Sequence, residues 1–564
     1  MPTTTFPLEY LSRLTAIAPQ QLEQQAFNYG LDALLQGDAL EVEVTAERPD
    51  LLAAEGFARA INIYNGASRS LPSALAPSDR TITVAPEVLP LRPFIGALIV
   101  EEVNLGTAGL EALIQFQEKV TQTFGRQRKK IAIGIYDLDR IQGNLHYRAA
   151  HQDELTFQPL GSDRTQQRPM TAREILTQHP SGLQYAHTIP AGDWVPVLQD
   201  DLGQVLSMPP IINAEGIGNI RDAASRPKAR LLIDVTGTVA KAVLEMVNIL
   251  AHNFLDLGAQ VKTVTIVTPT EQTLTPDLQP RAIAYSARFL NEMVGTHIAK
   301  TDLGTHLSRM DLQTTGTDHV LVPTYRTDIF SQIDIAGDLM VAIGIDNLQP
   351  DIGVIQFYTG TADPLKQFAH QVSDWAQRMG LMEVKSFILT DPDRLRWFGD
   401  RYIQADNAKS RTYSATRTTL QAGLLEILSR NISAPKPINI YEIGEVLHLT
   451  NSGEVEETLF WGFASLDSRA SFATAKAYLQ TLLKALALPY HLTDCPETRY
   501  IPGRAATVWV GDRPIGHFGE IHPEILHAFS FPEPVCSGEI DCRNLWGVGS
   551  GEWGVGSGET LGHH

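Results

Sequence analysis

The sequence predicts a multidomain α+β protein in which mixed and antiparallel sheets are flanked by helices. Three observations carry that expectation. The chain has 564 residues, more than one hydrophobic core accommodates, so several domains are expected. Hydrophobic residues make up 43% and charged residues 19%, a balance that supports folded domains throughout. Segments of period-two alternation and segments of helical periodicity are interspersed from end to end.

Residues 1–85 read as a small α+β domain. Residues 19–29 have helical spacing, and Gly30 supplies the stop. Leu40, Val42 and Val44 alternate as a strand does. Glu47-Arg48-Pro49-Asp50 forms a turn, and residues 51–64 an amphipathic helix. The Ser/Pro-rich residues 68–78 read as a linker.

Residues 86–265 read as a larger α+β domain. Residues 97–103 form a strand whose continuously apolar first half marks burial. A helix over 107–124 leads to the basic run Arg126-Gln127-Arg128-Lys129-Lys130, which suits a solvated turn and can also meet phosphate. A strand over 131–135 follows. In LSMPPIIN, residues 206–213, two prolines stiffen an extended edge without completing a ladder, as the rim of a pocket requires. The strand over 230–238 is interrupted by Asp234, and a carboxylate in a buried strand needs partners to stay ionised. Residues 239–255 form a long amphipathic helix.

Residues 266–350 form a smaller, partly helical module, with a helix over 284–294 and an acidic helix after Pro323. Asp328 stands where an N-cap is expected. Ile329, Ile333, Leu339, Met340 and Ile343 then recur at roughly helical spacing. Asp334 and Asp338 lie four apart and share one helical face. Three carboxylates near one helix start can hold Mg2+, a hard cation that prefers oxygen. The same pattern also suits an N-cap followed by a solvated acidic face, and spacing alone leaves both open.

Residues 355–545 read as a second large α+β domain. Helices are expected over 364–379 and 416–431, and strands over 384–389, 438–446, 458–464, 507–510 and 515–521. Glu442 and Glu445 give the 438–446 strand an acidic end. Residues 546–564 hold the direct repeat WGVGSGE, a Gly/Ser-rich tail with neither the strand nor the helix that a phosphate-binding loop needs.

Charge and composition narrow the function classes. The net charge of −19 excludes indiscriminate nucleic-acid binding by the chain as a whole. Cys495, Cys536 and Cys542 lack the spacing of a zinc site or a disulfide framework. With no membrane-length apolar run and no signal-peptide pattern, a cytoplasmic protein is expected. Walker-type, dinucleotide, zinc-protease and nucleophile-elbow motifs are missing. His517 and His522 in HFGEIH read as structural residues at a strand turn rather than metal ligands.

The order of motifs resembles the beta subunits of archaeal and eukaryotic phenylalanine–tRNA ligases, over about residues 6–543. The stretches that carry the resemblance are ERPDLLAAEGFARAI (47–61), LRPFIGALI (91–99), RKKIAIGIYDLDRI (128–141), VLSMPPIIN (205–213) and PTYRTDIFSQIDIAGD (323–338). They continue with TRTTLQAGLLEILSRN (416–431), YEIGEV (441–446) and IPGRAATVWVGDRPIGHFGEIHPEIL (501–526).

The resemblance implies a heterotetramer of two alpha and two beta subunits. The alpha subunit activates phenylalanine with ATP and attaches it to tRNA. Residues 355–545 would form a degenerate, non-catalytic class II ligase core. Residues 266–350 would be a B5-like module with Mg2+ on Asp328, Asp334 and Asp338, although Gly337 stands where the family has glutamate. Residues 86–265 would be an editing (B3/B4-like) domain that hydrolyses tyrosine from mischarged tRNA. Its pocket would be lined by Leu206, Ser207, Met208, Pro210, Asn213, Asp234, Thr236 and Gly237. Residues 214–229 replace the family's His-Ser-basic stretch, and Asn407-Ala408 and Gln421-Ala422-Gly423 replace its Asn-Pro and Leu-Pro-Gly. These departures support a second reading, a diverged paralogue that binds tRNA or aminoacyl-tRNA without serving the ligase.

Overall fold

The computed structural model describes residues 2–549 except 71–73, 162–167, 317, 350–356 and 400. The chain divides into two compact units, Met1–Val354 and Ile355–His564. Both mix helices with largely antiparallel sheet.

In the first unit a three-stranded sheet, Thr3–Pro7, Ala39–Glu43 and Asp32–Gln36 in that spatial order, packs with the helices Pro19–Tyr29 and Ala54–Tyr64. Gly30 ends the first helix in the left-handed conformation (φ 93°), which glycine adopts without a Cβ clash. The second helix was expected to be amphipathic but is buried almost all round, as a helix enclosed by other elements must be. It begins at Ala54 after a short 3-10 turn, Pro49–Leu52. The expected linker over 68–78 is shorter than predicted, because the strand Ala76–Val84 starts inside it and pairs with Gln260–Val267.

A ten-stranded sheet forms the centre of this unit. Its path runs Ile212–Asn213, Val205–Met208, Trp194–Asp200, Leu145–His151, Ala76–Val84, Gln260–Val267, Phe94–Val103, Ala229–Gly237 and Ile131–Asp137, with Gln272–Thr275 paired to Gln260–Val267. Ala76–Val84 runs parallel to both its neighbours, and the other pairs are antiparallel. The helices Gly106–Gln122 and Ala240–Asp256 cover one face. Their apolar core continues into the N-terminal helices and into the module beyond residue 280, so residues 1–85, 86–265 and 266–350 share one hydrophobic core.

That module contains the three-stranded sheet Arg281–Ala284, His319–Val322 and Gln313–Thr315, with the helices Ala287–Val294, Lys300–Ser308 and Gln332–Ile343. The last is the acidic helix. It starts later than the sequence suggests, and its N-cap is Ser331, not Asp328. Ser331 and Asp334 close a reciprocal capping box, while Asp328 is held elsewhere.

The second unit is built on the seven-stranded sheet Met382–Glu383, Ile438–Leu449, Val455–Leu466, Val535–Asp541, Arg513–Ile521, Tyr500–Val510 and His491–Asp494. All pairs are antiparallel except the first. One apolar cluster includes the helices Pro364–Arg378, Phe472–Ala485 and Cys542–Gly549, and another the helix Gln421–Arg430. The strand expected over 384–389 is instead two short pieces, Met382–Glu383 and Leu389–Thr390. Glu442 does not end a strand: Ile438–Leu449 runs past it, and the buried carboxylate pairs with the buried Arg417 at 2.6 Å. The first WGVGSGE repeat begins inside the helix Cys542–Gly549, and residues 550–564 lie outside the described residues. The cysteines Cys495, Cys536 and Cys542 are free thiols.

Candidate functional site

The ten-stranded sheet curls until residues from its two ends touch. Tyr136 lies on the last strand of the path and Ser207 on the second, yet the Tyr136 hydroxyl donates to Ser207 Oγ at 2.8 Å. Across the same seam Asn213 Nδ2 reaches the Ile135 carbonyl at 3.4 Å. A small pocket sits at this seam, lined by Ala132, Gly134, Tyr136, Pro209, Ile212 and the expected Ser207, Pro210, Asn213, Asp234 and Thr236. Three other expected residues do not line it. Leu206 and Met208 are fully buried core residues, and Gly237 packs against the Lys130 carbonyl, 2.4 Å from where a Cβ would stand.

Charge is confined within this pocket. Asp234 is 1% exposed, and its Oδ1 has no hydrogen-bond partner. Burial pushes its carboxyl up to about 6, against the opposing pull of the Tyr136 hydroxyl and the Arg92 guanidinium. Arg92 is itself buried and is spent on Thr236, with Nε 2.9 Å from Oγ1 and Nη2 2.6 Å from the carbonyl. Desolvation lowers its guanidinium to about 10. Arg128, from the basic run, is also engaged: it donates to the Pro210 and Ile211 carbonyls and stacks 4.1 Å over Tyr185. The run therefore buttresses the proline edge on which the pocket depends.

The acidic helix presents a different arrangement from three gathered carboxylates. Arg326, 1% exposed, donates from Nε and Nη2 to both oxygens of Asp328 at 2.9 and 2.7 Å. Its Nη2 also bonds Asp338 Oδ2 at 2.8 Å, and its Nη1 the Met310 carbonyl at 3.0 Å. Asp334 turns away to accept from the Phe330 and Ser331 amides, each at 2.8 Å. Burial favours the neutral form of Asp328, but Arg326 and then Arg48 outweigh it and hold the carboxyl below its usual range. Asp338 has one bond to Arg326 rather than two, and burial raises it. Among the described residues no group of three or more His, Cys, Asp or Glu is placed to hold a metal ion. The Arg326 guanidinium already occupies oxygens of both Asp328 and Asp338, with Arg48 3.9 Å from Asp328, so this donor set does not fit Mg2+, which requires oxygens free to enter its shell.

His517 and His522 act structurally. His517 is half-buried with its Nδ1 2.8 Å from the Tyr500 hydroxyl, and desolvation, reinforced by Arg499, depresses its imidazole to about 3. His522 caps the helix Pro523–Ala528 through Nδ1.

Comparison with known proteins then decides the family. A family model described as the tRNA synthetase B5 domain matches residues 283–345, and one described as the phenylalanyl tRNA synthetase beta chain CLM domain matches residues 352–542. The phenylalanine–tRNA ligase beta subunit of Pyrococcus furiosus is 32% identical over 511 residues, covering 88% of this chain and 90% of that protein. The counterpart from Archaeoglobus fulgidus is 30% identical over 561 residues, covering 97% of this chain and all of its own length (100%). The chain belongs to the phenylalanine–tRNA ligase beta-subunit family. A crystal structure of an N-terminal fragment of the Pyrococcus horikoshii beta subunit is similar in fold, with a TM-score of 0.56 and 29% identity over 60% of this chain and 99% of the fragment.

Three residues of the two candidate sites, Gly134, Tyr136 and Arg326, escape reasoning from sequence alone. Tyr136 and Gly134 stand in RKKIAIGIYDLDRI, but nothing local ties them to residue 207. Their spacing of two was a usable signal, since it puts a glycine and a large side chain on one strand face. Arg326 stands two residues before Asp328, a spacing at which an arginine can compete for the carboxylate. No helix among the described residues is long and apolar enough to cross a membrane.

Proposed function

We propose that this chain works as the beta partner in a phenylalanine–tRNA ligase of two alpha and two beta subunits. In this reading the alpha subunit uses ATP and Mg2+ to activate phenylalanine and attach it to tRNA. The observation that carries it is the collinear family match across both units, at 30–32% identity to beta subunits of similar length. Residues 355–545 act as a degenerate class II core without a synthetic site, a role supported by its broad antiparallel sheet and by the absence of phosphate-binding motifs in the sequence. Co-expression with a family alpha subunit, co-purification and a phenylalanine charging assay test the proposal. The isolated chain should support no phenylalanine-dependent ATP–pyrophosphate exchange, and the pair should charge tRNA. Exchange by the isolated chain, or failure to bind alpha, would overturn this assignment.

Residues 86–265 serve in this proposal as the editing-type domain, with Ser207, Pro210, Asn213, Asp234 and Thr236 around its pocket and Leu206, Met208 and Gly237 behind it. Asp234 and Ser207 are the groups suited to a tyrosyl hydroxyl. Such a site rejects phenylalanine because its polar groups would then be left unpaired. The second reading, a paralogue that holds tRNA without proofreading it, is favoured by one observation: the pocket is already filled from within by Tyr136.

A further inference from the structure

The seam pocket contains the group that it is suited to recognise. Tyr136 is fully buried, and its hydroxyl bonds Ser207. A Cβ on Gly134 would stand 2.0 Å from the Tyr136 hydroxyl and 2.2 Å from Asp234 Oδ1, so both oxygens crowd the space that this glycine leaves open. Gly134 pairs directly with Asp234 across the ladder, and Tyr136 lies two residues further along the same strand. The phenol ring is therefore laid over the glycine and toward the carboxylate.

Other polar groups at the seam are already committed. Thr236 Oγ1 accepts from Arg92, and Asn213 Nδ2 reaches Ile135. Pro209 and Pro210 have no amide hydrogen to offer. What remains for a ligand is the Ser207 hydroxyl and the unpartnered Asp234 Oδ1, and Tyr136 takes the first and stands before the second. The free space is about 20 Å3. That is the size of a single water site, whereas a cavity that admits a benzene ring is on the order of 150 Å3.

We propose that Tyr136 is a built-in occupant of a phenol-binding subsite, and that it closes the pocket to para-hydroxyphenyl ligands by filling their place and taking their hydrogen-bond partner. The proposal rests on the reading of this pocket as an editing-type site, and it sides with the second reading above, in which the chain as it stands does not proofread. Tyr136 is a specificity-determining residue: the chain as it stands excludes tyrosyl groups, and loss of the Tyr136 ring exposes the subsite.

The test uses the full chain with p-cresol as the phenol probe and toluene as its hydroxyl-free control, read by calorimetry and thermal shift. Wild type should bind neither saturably. Tyr136→Ala should bind p-cresol at least tenfold more tightly than toluene, and the added change Ser207→Ala, which removes the hydroxyl that Tyr136 bonds, should erase that preference. Tyr136→Phe keeps the ring and should still exclude the probe. Circular dichroism checks folding, and Tyr136→Ser provides a second opening should the alanine variant not fold. Saturable p-cresol binding by wild type that Ser207→Ala removes would overturn the proposal. So would a folded Tyr136→Ala that binds no p-cresol, or failure of both opening variants to fold, since a plug is dispensable to the fold. Deacylation of Tyr-tRNA by the alpha-bound Tyr136→Ala chain separates the two readings. Probe binding without deacylation keeps the plug and rejects editing, and gain of both keeps both.

Discussion

Replacing Asp234 with asparagine should stabilise the folded chain at neutral pH. In the native state the carboxyl rises from its ordinary 3.8 to about 6, with burial as the main cause. At about 1.36 kcal/mol per pKa unit, keeping Asp234 charged at pH 7 costs roughly 3 kcal/mol of stability. The sign follows from proton binding. Between 3.8 and about 6 the native state holds more protons than the unfolded chain, so this group's contribution is fully present below pH 3.8 and is lost as pH rises through 6. Asparagine has nearly the same shape and no charge, and its amide can donate to the Tyr136 oxygen that Asp234 faces. Thermal melts of wild type and Asp234→Asn at pH 7.5 and pH 4.5 give the measurement. The variant should melt several degrees higher at pH 7.5, and the gap should narrow at pH 4.5. A variant less stable at pH 7.5, or a gap that does not change with pH, would refute the argument that the desolvated charge dominates at this position.

Arg326→Met should destabilise the first unit by about 3–5 kcal/mol, because it leaves Asp338 buried without its hydrogen-bonded counter-charge and Asp328 with only the more distant Arg48; denaturant melts that match wild type would contradict the clamp. Melting curves of wild type in EDTA and in millimolar Mg2+ should coincide, since Arg326 already serves as the cation there; a Mg2+-dependent rise abolished by Asp338→Asn would show that the arginine yields to metal. Acid should weaken the second unit as pH falls below the ordinary histidine value of 6.5, because native His517 resists protonation down to about 3 while the unfolded chain does not. His517→Gln should flatten that pH dependence, and an unchanged profile would place the sensitivity elsewhere.

Local patterning was enough to locate most elements of this chain. Apolar runs marked the strands Ala229–Gly237 and Ile438–Leu449, which are buried over most of their length, and helical spacing with a glycine stop marked Pro19–Tyr29. The ordered motifs also carried the family, and the pocket edge at LSMPPIIN was legible as two prolines that cannot join a ladder. Tertiary structure alone decided what faces what. Asp328 has the composition of an N-cap, but a buried arginine with bidentate geometry holds it more strongly than exposed helix amides can, and Ser331 caps instead. Asp234 could be recognised as a carboxylate in need of partners, but not as one left with an unpartnered oxygen, because its neighbours Gly134, Tyr136 and Arg92 come from parts of the chain distant in sequence. Tyr136 meets Ser207 only because the ten-stranded sheet curls until strands from opposite ends of its path touch, and curvature of that kind is a property of the assembled sheet rather than of any segment within it.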